Sequence, residues 1–460
     1  MVIDELMKAL GAGQVLTGAS LADRYTHIWK MNHGLNAIGV VLPRTTEEIS
    51  KTLKICNRYK QPINIHGGLT NLVGATETVE NEIVISLEKM NKIEEVDERS
   101  RTMTVQAGVK LEEVQNAAEE KNLLFPLNFG AKGSAQMGGI ISTNAGGLRV
   151  FRYGMTRALV LGLEVVLADG TIISGLKKII KDNSAYDLKQ LFIGSEGTLG
   201  IITRAVLKLV EAPKSRNSAF IAFNDYDKIV SFLKYMDGGL AGTMSGFELI
   251  WKDCYVGMTS PPALIKPPLP HDYKYYVLIE SLGSDQDYDR DKMQSLLEYA
   301  FETDMILDAT LAMNESDLNW FWTIREDVHA IVSRCKVDQH FDISMPIPHI
   351  GSVLDEILDE LKYIPEVKHR FVFGHVADGN IHLIIGKETD NADVILAVND
   401  IIYAPLKALG GSVSAEHGIG THKKAYLTMC RTDEEISLMK TMKRALDPNE
   451  ILNPGRVIDL

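Results

Sequence analysis

The sequence predicts a mixed α+β protein of two domains followed by a short C-terminal segment, and three observations predict it. The chain has 460 residues, enough to build more than one core. Strand-like apolar runs alternate with amphipathic helical patterns along most of its length. Glycine density then falls after Ala212-Pro213-Lys214, where a Gly-rich texture gives way to longer strand and helix pairs.

The elements follow in order. Residues 1–13 read as a short amphipathic helix carrying acids, neither a secretory signal nor an Arg-rich transit peptide. Residues 38–42 are a strand, and 43–48 open a helix with threonine and early glutamates that runs to about Tyr59. Residues 61–66 form a second strand that enters a glycine loop. Residues 83–86 and 103–107 are further strands, and 111–121 a helix. Beyond the change in texture, 218–223 and 275–281 are strands, each followed by a helix, at 226–236 and 289–302. This alternation suggests an open sheet backed by helices. The proline-rich stretch 261–270 is a stiff surface excursion, and 446–456 is a helix end followed by a turn.

Composition narrows the function. The net charge is −13, with 45% hydrophobic and 24% charged residues, ordinary for a globular protein. No basic block interleaves with aromatics, which argues against nucleic acid or an anionic membrane as partner. Cys56, Cys254, Cys335 and Cys430 are scattered, without metal-cluster spacing or a disulfide framework. No apolar run approaches the ~20 residues of a spanning helix. A cytoplasmic protein is expected.

A metal site is suggested by His375 and His382, which bracket Val376-Ala377-Asp378-Gly379-Asn380-Ile381. Asp-Gly between apolar residues favours a two-residue type I′ hairpin turn. That turn pairs 377 with 380, 376 with 381 and 375 with 382, so the imidazoles face each other with Cβ atoms about 4.5–5.5 Å apart. Ser414-Ala415-Glu416-His417-Gly418-Ile419-Gly420 offers Glu416 as third ligand and His417 as a base. Three protein ligands and an open position suit a catalytic zinc. Asp378 and Asn380 serve either as partners orienting the ligands or as the turn itself, the turn being favoured for Asp378. A metal-dependent hydrolase using the same histidines remains open at this point.

Three segments, 66–75, 130–147 and 194–200, concentrate glycine with small polar residues. Such loops let backbone N–H groups approach an anion closely, and they serve equally as tight turns. None is a G-x-G-x-x-G or a Walker loop. Their strings are more specific. Pro62-Ile63-Asn64-Ile65-His66-Gly67-Gly68-Leu69-Thr70-Asn71-Leu72-Val73-Gly74 resembles the pyrophosphate loop of the vanillyl-alcohol-oxidase/PCMH flavoproteins. Pro126-Leu127-Asn128-Phe129-Gly130-Ala131-Lys132-Gly133-Ser134, Gly139, Thr143-Asn144-Ala145-Gly146-Gly147, Arg152-Tyr153-Gly154 and Gly194-Ser195-Glu196-Gly197-Thr198-Leu199-Gly200-Ile201-Ile202-Thr203 resemble its further FAD contacts, as does Asn453 in the closing Asn453-Pro454-Gly455. The resemblance spans residues 20–457 and is strongest to the FAD-dependent D-2-hydroxyacid dehydrogenases of the D-2-hydroxyglutarate and D-lactate branch.

That resemblance implies a PCMH-type FAD-binding domain (1–213), a ferredoxin-like α+β cap carrying the metal site (214–420) and a C-terminal segment returning to the FAD domain (421–460). It implies His375, His382 and Glu416 as ligands of a divalent metal, usually zinc, and His417 as the general base that starts hydride transfer to flavin N5. Covalent relatives carry histidine just after the paired glycines; Leu69 stands there, so FAD should be noncovalent.

Trp322-Thr323-Ile324-Arg325-Glu326 resembles the family's W-x-x-R-E segment, whose arginine grips a substrate carboxylate; a surface arginine paired with neighbouring acids is the plainer reading. Two departures from the hydroxyglutarate branch replace threonine by His329 and lysine by His340. A third replaces asparagine by Ile384. His329 and His340 are candidate substrate contacts or structural histidines, so the acid is left open among D-2-hydroxyglutarate, D-lactate, D-malate and more apolar analogues. The expected partners are a small 2-hydroxy acid and an electron acceptor that is an electron-transfer flavoprotein, a quinone or a partner subunit. A homodimer is the expected assembly. The alternatives are a glycolate- or D-lactate-oxidising subunit of a larger complex and a flavin-binding protein without catalysis.

Overall fold

The computed structural model describes residues 1–29 and 33–460, which divide into two compact units. Residues 1–146, 154–212 and 416–460 form the first, and 147–153 with 213–415 the second. The final segment joins the first unit from Glu416, five residues before the expected 421. Residues 147–153 belong to the second unit although they lie in the glycine-rich half.

In the first unit a four-stranded sheet runs Val15–Leu16, Gly39–Val41, Ile83–Ser86, Ile63–His66. Its last three strands are parallel. Val40, Val41, Ile83, Val84 and Ile85 are all buried, because a parallel sheet is covered on both faces and reads as a continuous apolar run. Leu6 of helix Val2–Leu10 and Ile49, Leu53 and Cys56 of helix Thr46–Tyr59 pack on it. Thr45 caps the second helix by accepting from the Glu48 amide at 3.2 Å.

A five-stranded antiparallel sheet follows, ordered Ile93–Asp97, Thr102–Gln106, Ile201–Lys208, Val160–Val166, Ile172–Gly175. Helices Leu111–Glu119 and Met137–Thr143 close its core. The chain's end is stitched into this unit. The Ile63 amide donates to Ile451 O at 2.7 Å and the Asn453 amide to Ile63 O at 2.9 Å. Lys443, buried, donates to Thr198 O and Leu452 O, each at 2.8 Å, and to Asp447 at 2.5 Å. Arg456 forms a buried ion pair with Glu82.

The second unit is built on a seven-stranded sheet ordered Asp308–Leu311, Ser215–Phe223, Tyr275–Gly283, Met244–Trp251, Val367–His375, Asn380–Lys387, Val337–Ser344. Every pairing is antiparallel. Helices cover both faces. Phe232 of helix Tyr226–Leu240 packs on Phe223 and Phe247. On the other face, Phe321 and Trp322 of helix Glu315–Glu326 join Phe220, Ile250, Tyr276, Phe371, Phe373 and Ile384.

The helices after strands Ser215–Phe223 and Tyr275–Gly283 start at aspartate caps, Asp225 and Asp285; the first runs past the expected residue 236 to Leu240, and the second starts at Gln286, before the expected 289, and ends at Glu302 as expected. The first passes through Gly238 and Gly239 because Leu240 is buried at its far end; packing outweighs the ~1 kcal/mol cost of each glycine. The proline-rich 261–270 stretch has no regular secondary structure, and Leu264 is exposed. The four cysteines are unpaired. Burial pushes the Cys56 thiol up to about 12, so it stays a packed thiol rather than a nucleophile. Among the described residues no helix is long and apolar enough to cross a membrane.

Candidate functional site

Two sets of residues stand out, one in each unit. In the second, the strands Val367–His375 and Asn380–Lys387 bring His375 and His382 onto one face, but in a different register from the one the Asp-Gly turn predicts. His382 pairs with Phe373, not with His375. The connection is a 3-10 turn over Val376–Asp378, with Gly379 in the left-handed region at φ 83. The extra turn moves the register by two residues. An even shift keeps both histidines on one face, where a shift of one would have separated them. They meet diagonally: the rings are perpendicular with centroids 5.3 Å apart, and the two Nε2 atoms lie 3.5 Å apart.

Behind each imidazole stands a buried carboxylate. His375 Nδ1 lies 2.6 Å from Glu248 Oε1, across the pairing of its strand with Met244–Trp251. His382 Nδ1 lies 3.8 Å from Asp342 Oδ1, its partner in register on Val337–Ser344. Burial pushes the Glu248 carboxyl up, but His375 and Arg325 beside it outweigh this and hold it below the ordinary glutamate range. The Glu248 carboxylate draws the His375 ring proton to Nδ1 and leaves its Nε2 lone pair facing His382 Nε2, whereas Asp342 Oδ1 at 3.8 Å is beyond hydrogen-bond reach of His382 Nδ1. A cation could be held by both nitrogens at this spacing. Nitrogens bound at ~2.0–2.1 Å in a tetrahedron lie about 3.3–3.4 Å apart, close to the spacing found.

Glu248 and Asp342 went unread in the sequence. The available signal was a lone acid inside an apolar strand, Gly246-Phe247-Glu248-Leu249-Ile250 and Phe341-Asp342-Ile343, where an unpaired charge is costly.

Arg325 is brought to this cluster, but not as a surface arginine. It is 5% exposed, its Nε and Nη2 bond Glu248 Oε2 at 2.8 and 2.7 Å, and its guanidinium lies 4.7 Å from the Phe373 ring centroid. The three departures scatter. His329 is exposed on helix Val328–Val332. His340 is 2.6 Å from Asp338 and pairs in register with Ile384. Ile384 is itself buried among Phe371 and Phe373. Asp378 is exposed, and its Oδ1 accepts from the Asn380 amide within the turn.

The glycine loops lie in the first unit. After strand Ile63–His66, the chain passes through Gly67-Gly68-Leu69, with Leu69 at φ 55. Among the described residues, the amides of Gly67, Gly68, Leu69 and Thr70 donate to no protein acceptor. Gly68 packs so closely on the Ser134-Ala135 backbone that a Cβ would run into the Ser134 carbonyl oxygen. Gly139, in helix Met137–Thr143, and Gly130 face open space. A row of outward amides beside open space fits the pyrophosphate of FAD. Leu69 offers no nucleophile for a covalent flavin link.

Other residues assigned by resemblance to FAD are already engaged by protein. Arg152 donates to Thr243 O at 3.1 Å and Leu282 O at 2.6 Å; it lies with Gly147 in the second unit. Asn144, capping its helix at φ 51, accepts from the Arg157 amide at 2.9 Å. Asn453 accepts from the Ile65 amide at 3.0 Å and donates to Glu196 O at 2.7 Å. Burial pushes the Glu196 carboxyl up against the opposing pull of the Ile419 and Gly420 amides that it accepts from. His66 is buried with its Nε2 3.1 Å from Thr76 O, and burial depresses its imidazole to about 4. The Gly200-Ile201-Ile202 segment enters the five-stranded sheet, Gly146 and Gly154 lie in links between short helices, and Gly197 sits in the turn before that strand.

Glu416 and His417, half-buried, open the last segment of the first unit. They follow Ala415, whose amide donates to Asp342 O at 3.2 Å.

Comparison with known proteins places this architecture among PCMH-type flavoproteins. p-Cresol methylhydroxylase superposes with a TM-score of 0.77 at 17% identity, over all of this chain and 96% of that one. Residues 37–175 match the FAD binding domain family, and 212–457 match the FAD linked oxidases, C-terminal domain.

The chain belongs to the FAD-dependent D-2-hydroxyacid dehydrogenases of that fold, and it is an FAD-dependent oxidoreductase. Its relatives include the mitochondrial D-2-hydroxyglutarate dehydrogenase of Danio rerio, 35% identical over 98% of this chain and 84% of that protein. A D-2-hydroxyglutarate–pyruvate transhydrogenase of Saccharomyces cerevisiae is 35% identical over 91% and 86%. The cytoplasmic expectation is overturned: the Danio rerio relative and that of Rattus norvegicus are both named mitochondrial. An acidic amphipathic start to this sequence therefore carried no information on compartment.

Proposed function

We propose that the protein oxidises a D-2-hydroxy acid to the 2-oxo acid, using noncovalent FAD and a divalent metal, with zinc first among candidates. The observation that carries the metal is the pair of Nε2 atoms 3.5 Å apart, each ring backed by a buried carboxylate. His375 and His382 would hold the ion, with Glu416 as the third ligand. The outward amides of Gly67, Gly68, Leu69 and Thr70 cradle the pyrophosphate.

When bound, FAD supplies the hydride acceptor at N5, and the metal supplies a Lewis acid for the substrate hydroxyl and carboxylate. The chain's own residues do the rest. His417 takes the hydroxyl proton at a ring nitrogen as the C2–H bond breaks. One proton and one hydride leave, so the alcohol becomes a carbonyl with charge balanced. Glu248 fixes the His375 tautomer, and Arg325 keeps Glu248 ionised and aimed. Any grip of Arg325 on substrate falls to Nη1, since Nε and Nη2 are committed to Glu248.

Both relatives' names support D-2-hydroxyglutarate as substrate, and the transhydrogenase name brings in pyruvate, whose reduction product is lactate. The apolar burial of Ile384 and the His340–Asp338 pair leave a distal carboxylate without a fixed cation there, which favours testing short acids beside the five-carbon diacid. The test is anaerobic bleaching of the flavin by D- and L-isomers of 2-hydroxyglutarate, lactate and malate. D-isomers should bleach it. Bleaching by L-isomers alone, or purified protein without bound flavin, refutes the reading.

A further inference from the structure

Glu196 is a surprising residue for a cofactor loop, because its carboxylate points at another part of the chain. It is 8% exposed, and its backbone is held in the left-handed region at φ 50. Its Oε1 accepts from the Ile419 amide at 2.7 Å and its Oε2 from the Gly420 amide at 2.9 Å. These are two charge-assisted bonds from one carboxylate to consecutive amides.

The loop so gripped begins two residues after His417. Gly418 sits at φ 85, directly over the carboxylate: a Cβ there would lie 2.9 Å from the Glu196 carboxyl carbon. Beyond it, the Thr421 and His422 amides donate to Val73 O at 2.9 and 3.2 Å, and the Val457 amide donates to Gly420 O at 2.9 Å. From the other side, Asn453 Nδ2 donates to Glu196 O at 2.7 Å, which holds the Glu196 backbone in its unusual conformation.

We infer that Glu196 is a positioning residue for the reaction: its carboxylate latches the Ile419-Gly420 backbone and thereby fixes the direction of Glu416 and His417. This rests on the reading of Glu416 and His417 as ligand and base. It assigns the glutamate of the Gly194–Gly200 stretch to the catalytic loop and not to FAD. A ligand and a base on a glycine-rich loop, Gly418 and Gly420 both at positive φ, have no secondary structure to hold them. A buried carboxylate supplies what a helix or strand would otherwise give.

The test compares full-length, FAD-loaded parent with Glu196→Gln and Glu196→Asp. Hydrogen exchange of peptides covering residues 416–422 should quicken in Glu196→Gln, with peptides of helix Thr46–Tyr59 unchanged as the folding control. Zinc should be stripped by a lower chelator concentration, and anaerobic flavin reduction should slow by roughly tenfold or more at saturating substrate, because small misplacements of a reacting group are costly. Glu196→Asp, which keeps the charge, should recover part of the rate.

Unchanged exchange in Glu196→Gln overturns the latch. Faster exchange with parent reduction rate and parent zinc retention overturns the link to the reaction. Loss of FAD with parent-like exchange at 416–422 would return Glu196 to the cofactor. If instead Glu416→Gln and His417→Ala themselves reduce flavin at the parent rate, it is the proposed function that fails, independently of the latch.

Discussion

The two candidate regions are built from opposite materials. The cofactor cradle of the first unit is made of backbone: amides of Gly67, Gly68, Leu69 and Thr70 turned outward, with Gly68 pressed on Ser134. The cluster of the second unit is made of side chains, His375, His382, Glu248, Asp342 and Arg325, on one sheet face and the helix above it. A backbone cradle needs specific residues in sequence, because only glycine permits the approach. A side-chain cluster needs residues from five separate segments of the chain, brought together by register. The difference governs how each region fails. The cradle should tolerate changes of charge and break on added volume; the cluster should do the reverse.

The largest effect is expected at the proposed base. His417→Ala should slow flavin reduction about 10²–10⁴-fold with FAD still bound, measured by anaerobic stopped flow. Parent-like rates would remove His417 from the chemistry.

Next comes a pH effect specific to the cradle. The buried His66 imidazole is depressed to about 4, below its unfolded value near 6.5. Between those values the unfolded chain binds the extra proton, so the stability His66 contributes is full above pH 6.5 and is lost as pH falls toward 4. The difference amounts to about 3 kcal/mol. Urea midpoints of parent and His66→Gln should therefore diverge across that window and run parallel above it. Parallel curves throughout would show that His66 charges freely in the native state.

Glu248→Gln should weaken metal binding or activity roughly 10–100-fold, as loss of a partner behind a ligand histidine does. Metal content under a chelator series reads it out, and unchanged retention would make Glu248 structural only. Gly68→Ala should cost about 1–3 kcal/mol through overpacking and lower the FAD content of purified protein, read from the flavin absorbance. The smallest effect is expected at His329, exposed on its helix, where alanine should change reduction by less than about twofold for any D-2-hydroxy acid. A large loss of affinity there would restore it as a substrate contact.

The same contrast explains what was legible in the sequence. The strings around Gly67 and Gly194 could be read because backbone function leaves a fixed local pattern. The parallel strands showed as apolar runs, and residues 83–86 form the strand expected. His375 and His382 were placed on one face by the right period and the wrong register, since a 3-10 turn replaces the two-residue turn that Asp-Gly favours. Glu248 lies 127 residues from His375 in sequence, and no local pattern joins them. Arg325 resembled an arginine that grips substrate; its burial beside Glu248, like that of Ile384 beside Phe371, depends on packing that only the assembled sheet reveals.

The central claim, a metal held by His375 and His382 that hydroxyacid oxidation requires, is tested most directly by removing the metal. The FAD-loaded protein is dialysed against chelator, its metal content is measured, and its flavin is mixed anaerobically with D-2-hydroxyglutarate and with D-lactate. The account predicts that the metal-free protein keeps its FAD and is no longer bleached, that zinc restores bleaching in the parent, and that zinc does not restore it in His375→Ala. Metal-free protein bleached at the parent rate would contradict it.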